Sequence, residues 1–421
     1  MSLEFEKNLD KYADIIVKVG LNLQPGQKLL IGGPIYGFYG ISLELVPLIR
    51  KIVKKAYKMG ARLVDVMWKD EELQLIRLQH APTDTLDEYP IWRINAALKV
   101  AEAGDAFLAI YAENPNLLVD QNPEKIMAVQ QANFKQNKPI MDHVVKGSMN
   151  WTIVTAPVDG WTDKVFPNVP LDKRKAKFWD TIFEICRVKE EDPVSAWRDH
   201  VNQLANRSNY LNKKQYTQLK FTASGTNLTI GLPKDHLWKS GTMTSQNGIT
   251  STVNIPTEEV FTIPHRYKTE GFVKATKALY YSGSLIEDYQ LTFSKGKIIE
   301  AVAKKGEKLL HKLIETDEGA SYLGEIALVP HSSPISKSGL LFYNILIDEN
   351  ASNHIALGQG YKFSIKNGEI LSDDEFETLG GNNSLIHIDC MFGSSDMNVD
   401  GLLEDGTTEP IMRNGEWAFN V

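Results

Sequence analysis

From residue 28 to residue 155 short apolar runs alternate with helix-period segments, and this alternation limits the fold more than any other feature of the chain. Lys28-Leu-Leu-Ile, Leu63-Val-Asp-Val-Met67, Ala106-Phe-Leu-Ala-Ile-Tyr111 and Thr152-Ile-Val-Thr155 read as strands. Helical periodicity covers residues 9–19, 43–59, 92–103 and 124–136, and two further helical segments near 173–186 and 194–211 close the region. Strands separated by helices of this length imply a mainly parallel sheet, hence an α/β N-terminal domain.

From Tyr216 the texture changes to short strands and tight turns, with hairpin signals at Ser224-Gly225 and Lys295-Gly296. The expectation is an α+β C-terminal domain with a strongly curved, largely antiparallel sheet and one amphipathic helix over residues 296–316. The boundary is expected near 211–216, giving domains 1–212 and 213–421. Gly32-Gly-Pro-Ile-Tyr-Gly-Phe-Tyr-Gly40 follows the first strand but matches neither phosphate-binding pattern, and its central Pro34 favours a plain turn.

A formal net charge of −7 with no Lys/Arg stripe speaks against nucleic acid, and Lys51-Ile-Val-Lys-Lys55 reads as the wet face of a helix. No run approaches 18 apolar residues, so no membrane span is expected. The N-terminus lacks an apolar signal region, and the two cysteines, Cys186 and Cys390, lie far apart, which together point to the cytoplasm.

Chemistry concentrates between Glu325 and Asp389, where Glu325, Glu349, His354, Tyr361, His387 and Asp389 stand among turns rich in Gly and Asn. His387-Ile-Asp389 sits in an alternating stretch, and side chains two apart on a strand share a face, so imidazole and carboxylate converge. Alone this is weak, because 9 histidines and 53 acidic residues yield roughly one such triplet by chance. Its neighbours strengthen it. The apolar run from Leu340 ends abruptly in Asp348, Glu349, Asn350 and Asn353, a density of carboxylate and amide beside a core segment that needs a cation, a cap or a turn. Gly324-Glu325 sets a carboxylate at the mouth of a short apolar strand, and Glu258 and Glu259 follow a proline turn. Acids from separate strand ends can share a pair of cations.

In order and spacing, Asn254-Ile-Pro-Thr-Glu-Glu-Val-Phe261, Gly324-Glu-Ile-Ala-Leu-Val329, Ser333-Pro-Ile-Ser336, Leu346-Ile-Asp-Glu-Asn-Ala-Ser-Asn-His-Ile-Ala-Leu-Gly358 and His387-Ile-Asp389 resemble the thermophilic-type metalloaminopeptidases. This is the family of aminopeptidase T, aminopeptidase S and PepS, with the PepS-like members the nearest match, and the similarity extends over almost the whole chain. The resemblance implies removal of single residues from peptide N-termini by two divalent metal ions, zinc or cobalt with manganese or magnesium as alternatives. It places the metal ligands on Glu259, Glu325, His354, His387 and Asp389 and an active-site tyrosine on Tyr361. It further implies a homodimer whose active sites face an enclosed cavity and whose partners are short peptides with a free N-terminus.

Chemically, a pair of cations can acidify a bridging water and clamp the tetrahedral intermediate, while carboxylates offset their mutual repulsion. Glu325 or Asp389 fits the bridging position. Tyr361 can donate its hydroxyl to the oxyanion. Glu349 can be the general base, a ligand, or an acceptor that orients His354, and Asp348 offers the same chemistry one residue earlier. Glu258 stands where the family often has glycine, which leaves two adjacent acids as rivals for one ligand position. His265 and His331 lie near the motifs without a role in them. Another two-metal hydrolase, a phosphoesterase or a non-peptide amidase, is the alternative class, although the motifs contain no Arg or Lys for a phosphate. A non-enzymatic metal or small-molecule binder is the third.

Overall fold

The apolar runs of the first half pair as β1 (Lys28–Ile31), β2 (Leu63–Val66), β3 (Ala106–Tyr111) and β4 (Trp151–Thr155), all parallel, in the order β4-β3-β1-β2. Asn254–Ile255 adds a fifth parallel strand beside β4. The interior strands β3 and β4 are buried almost end to end, which is why they read as continuous apolar runs rather than alternating ones. The computed structural model describes residues 2–35, 39–281 and 283–421. Gly32 and Gly40 both take positive φ, as a turn requires, while residues 36–38 of that glycine-rich stretch lie outside the described residues.

Helix boundaries follow the chemistry of the ends. Asn122 caps Pro123–Val145 by accepting from the Glu124 N–H at 2.8 Å. This helix runs nine residues past the periodic segment 124–136, because Asn137, Ile140 and Val144 prolong its buried face despite Pro139. The chain divides into two units, Met1–His200 with Thr242–Pro256, and Val201–Gly241 with Thr257–Val421. No helix among the described residues is long and apolar enough to cross a membrane.

The second unit is built on antiparallel pairing. One five-stranded sheet contains β5 (Lys239–Ser240), β6 (Val260–Thr262), β7 (Leu323–Leu328), β8 (His354–Gly358) and β9 (His387–Met391), in the order β9-β8-β7-β6-β5. A nine-stranded antiparallel sheet accompanies it, and its hairpins turn at Ser224-Gly225 and Lys295-Gly296 as the sequence implies. Val260, Ile326, Leu328, Ile355, Leu357, Ile388 and Cys390 of the first sheet share one core with Phe221, Leu228, Leu291 and Val399 of the second. The expected helix over 296–316 is corrected in its first half. Lys297–Lys305 is a strand paired with Ser284–Ser294, and only Glu307–Ile314 is helical. Ala301-Val-Ala-Lys-Lys fits either period; the turn at Lys295 and Gly296 (φ 50° and 82°) commits it to the hairpin, and Gly306 (φ 79°) breaks the chain before the helix.

Candidate functional site

Register across the five-stranded sheet decides which side chains meet. In one row Phe261 faces Ala327, Ala327 faces His354 and His354 faces Met391; in the next Glu325 faces Ala356 and Ala356 faces Asp389. Gly358 faces His387 in the row beyond. Directly opposed residues, and residues two apart on a strand, share a face. Glu325, His354, His387 and Asp389 therefore all rise from the face opposite the core, with only the methyl of Ala356 between the two acids.

Glu325 reaches that face through a bulge. Leu323 pairs with Leu357, but from Glu325 onward the register shifts by one. Unshifted pairing would set Glu325 opposite Ile355, on the core side. Gly324 is the inserted residue, and a Cβ there would lie 2.2 Å from the Gln359 carbonyl oxygen, so the bulge requires glycine.

The cluster is buried and closely spaced. His354 Nε2 lies 3.1 Å from Glu259 Oε2 and 3.5 Å from Glu325 Oε1, and His387 Nε2 lies 3.5 Å from Asp389 Oδ1 and 3.8 Å from Glu325 Oε2. Among the described residues two groups could hold a metal ion: Glu259, Glu325 and His354, and Glu325, His387 and Asp389. Glu325 belongs to both. Each imidazole is oriented from behind, since His354 Nδ1 bonds the Ser352 carbonyl at 3.1 Å and His387 Nδ1 bonds the Gln359 carbonyl at 2.8 Å. These bonds make Nδ1 the donor and leave the Nε2 lone pair turned into the site.

The residues present fit divalent cations. Glu259 Oε2 and His354 Nε2 are buried without a hydrogen-bond partner of good geometry, a costly arrangement unless another group satisfies them. The donors are carboxylate oxygen and imidazole nitrogen, the set that zinc, cobalt and manganese accept. Titration reflects the same excess of negative charge. Burial alone would lower the pKa of His354, yet Glu259 and Glu325 hold it well above the ordinary value. His387 is raised to about 9, burial again opposed by Asp389 and Glu325. Burial raises the pKa of Glu325 against the pull of His354, whereas for Asp389 burial is outweighed by the charge and hydrogen bond of His387 acting together with His354 and Glu349, and the pKa is lowered.

The remaining candidates separate. Glu349 adjoins Asp389, and burial together with the Asp389 charge lifts its pKa well above the carboxylate range. Asp348 instead accepts the N–H groups of Phe342 and Asn344 at 2.7 and 3.0 Å, a turn-capping role, with burial pushing it up to about 7. Glu259 enters a ligand group, while Glu258 is a charge partner of Arg207 and enters neither. The Tyr361 ring packs 4.8 Å from the His387 ring and stacks on Phe363 at 5.0 Å. His265 and His331 stand outside both ligand groups. The sequence reading did not anticipate Gly324, Ala356, Phe261 or the orienting carbonyls of Ser352 and Gln359, because each depends on register or on a backbone atom.

Asp317 fastens the approach to β9, accepting from the N–H groups of Ala320 and Leu385 and from the Ser384 hydroxyl. Burial opposes its ionisation, but these bonds, Leu385 first, hold its pKa below the ordinary value. A depressed carboxyl contributes stability above its unfolded pKa of about 4 and loses it as pH falls through the folded value. Asp317→Asn should therefore cost about 1 kcal/mol at pH 7, a modest figure because the group is partly exposed, and the gap should close in acid. Denaturant unfolding of both proteins at pH 7 and pH 3 checks this; an equal gap at both would refute the assignment.

The family described as "Thermophilic metalloprotease (M29)" matches residues 5–417. Aminopeptidase 2 of Geobacillus stearothermophilus is 44% identical over 417 residues, covering 99% of both chains. The solved structure of wild-type AmpT from Thermus thermophilus aligns with a TM-score of 0.91 at 40% identity, over 99% of this chain and 100% of that one. PepS of Streptococcus thermophilus is 38% identical over 416 residues, covering 99% of both chains.

Proposed function

The chain belongs to the M29 family of thermophilic metalloproteases, and from that premise we propose that it releases single N-terminal residues from short peptides using two divalent cations. It is a metalloaminopeptidase, a hydrolase. The observation that carries the two-cation reading is the sharing of Glu325 between two ligand groups, Glu259 and His354 completing one and His387 and Asp389 the other. Zinc and cobalt suit the mixed oxygen and nitrogen donors best.

Divalent cations supply Lewis acidity to the scissile carbonyl and lower the pKa of water. The chain's own groups do the rest. Glu325, with a carboxylate in both groups, offsets the repulsion between neighbouring positive charges. Glu349, beside Asp389, would lose its own proton where bound cations offset the neighbouring carboxylate charges that raise its pKa, and as a carboxylate it takes the proton of the attacking water and returns it to the leaving amine. Tyr361, held against the His387 ring, donates its hydroxyl to the oxyanion. A site walled by carboxylates favours a free α-amino group, which registers the peptide for loss of one residue. The homodimer and the enclosed cavity that limits peptide length rest on likeness to the family. The buried thiols of Cys186 and Cys390 accord with a cytoplasmic setting.

Metal analysis combined with digestion tests this reading. The protein should carry metal, cut a free peptide one residue at a time and leave the N-acetylated peptide and a folded protein almost intact. Equal hydrolysis of the free and acetylated peptides would rule out the exopeptidase assignment.

A further inference from the structure

The row that carries His354 continues past Phe261 to the sheet edge. Lys239 on β5 is the direct partner of Phe261 on β6, so Lys239, Phe261, Ala327 and His354 stand in one row on the face that bears the candidate ligands. Lys239 is half-buried, and among the described residues its ammonium makes neither a hydrogen bond nor an ion pair. Burial lowers its pKa, opposed by the charge of the exposed Glu369 carboxylate, which forms no ion pair with it. A half-buried cation without a bonded counter-charge has lost hydration that an incoming anion can replace.

Between this lysine and the ligand cluster lies an aromatic surface. Phe261, Tyr361 and Phe363 are each half-buried, with Phe261 edge-on to Tyr361 at 6.3 Å and to Phe363 at 6.4 Å. β5 is two strand spacings from β7, which carries Glu325, a separation of about 10 Å. An extended chain advances about 3.3–3.6 Å per residue, so a tripeptide covers that distance.

We propose that Lys239 binds the C-terminal carboxylate of tripeptide-sized substrates whose α-amino end lies at the Glu259, Glu325 and His354 group. The inference rests on the aminopeptidase reading and deepens it: the enzyme measures its short substrates from both charged ends, with the aromatic surface beneath the side chains between. Lys239 is a specificity-determining residue here, remote from the bond that breaks.

The experiment compares kcat/KM for one apolar tripeptide as the free acid and as the C-terminal amide, and repeats the pair with a hexapeptide. Wild type should prefer the tripeptide acid by about 10- to 100-fold, the range expected for one hydrogen-bonded charge, and should show little preference with the hexapeptide. Lys239→Met should abolish the tripeptide preference by slowing the acid and sparing the amide, and Lys239→Arg should restore much of it. A ratio near one in wild type overturns the proposal without any variant, as does a preference that survives in folded Lys239→Met. Trimming of the amide by wild type upholds the aminopeptidase reading whichever way the lysine's test falls.

Discussion

Glu325→Gln is expected to lose at least one cation and to lower peptide turnover by several orders of magnitude while the protein stays folded. The amide keeps the shape of the side chain but removes the one negative charge common to both ligand groups. Neutral oxygen offsets little repulsion between two divalent cations, so affinity falls where Glu325 serves both positions. Losing acidified water and carbonyl polarisation together removes most of the catalytic stabilisation, on the order of 10³-fold or more. Stability should change far less, because Glu325 rises from the face opposite the core of Ile326, Leu328, Ile355 and Leu357. The matched control is Glu258→Gln. Its charge neighbours Arg207 and belongs to neither ligand group, so metal content and most turnover should persist. Metal analysis, melting and turnover measured on the same samples decide the matter: full metal and normal turnover in Glu325→Gln would overturn the shared-ligand assignment.

Local patterns carried the first sheet into view, since buried parallel strands and amphipathic helices differ in period and length, and Lys28–Ile31, Ala106–Tyr111 and Trp151–Thr155 are unambiguous on both counts. Lys297–Lys305 was illegible for the opposite reason. Its alanines and lysines satisfy both periods, and a pairing partner chooses between them. His387 and Asp389 were legible because two-residue spacing on a strand fixes a common face. Glu325 and His354 stood out as donors in a stretch rich in them, but only motif resemblance made them ligands, since nothing local states that one of them sits beyond a register shift. The choice between Asp348 and Glu349 turned on the backbone N–H groups that Asp348 caps, which a one-dimensional reading cannot see. Lys239 is farther still from legibility: its place beside the cluster emerges only when β5, β6, β7 and β8 are aligned row by row.

Gly324→Ala is expected to reduce cation affinity and to lower kcat/KM at least about 100-fold, although alanine is the smallest side chain that could be added. Leu323 and Glu325 are two apart and would share the core face in a regular strand; the bulge at Gly324 separates them. The added Cβ would fall 2.2 Å from the Gln359 carbonyl oxygen, and that same oxygen receives the His387 Nδ1 hydrogen bond at 2.8 Å. One methyl group therefore disturbs two candidate ligands at once: Glu325 as the strand shifts to relieve the clash, and His387 as its orienting carbonyl moves. Overpacking of this kind costs about 1–3 kcal/mol, so the variant should fold with a lowered melting temperature. The defect in turnover should respond to added metal, because weakened affinity can be overcome by mass action while a misfolded core cannot. Measuring kcat/KM across a zinc or cobalt titration distinguishes the two. A folded Gly324→Ala protein with wild-type metal affinity and wild-type turnover would mean that Glu325 reaches the cluster without the bulge, and the register argument for the site would fail.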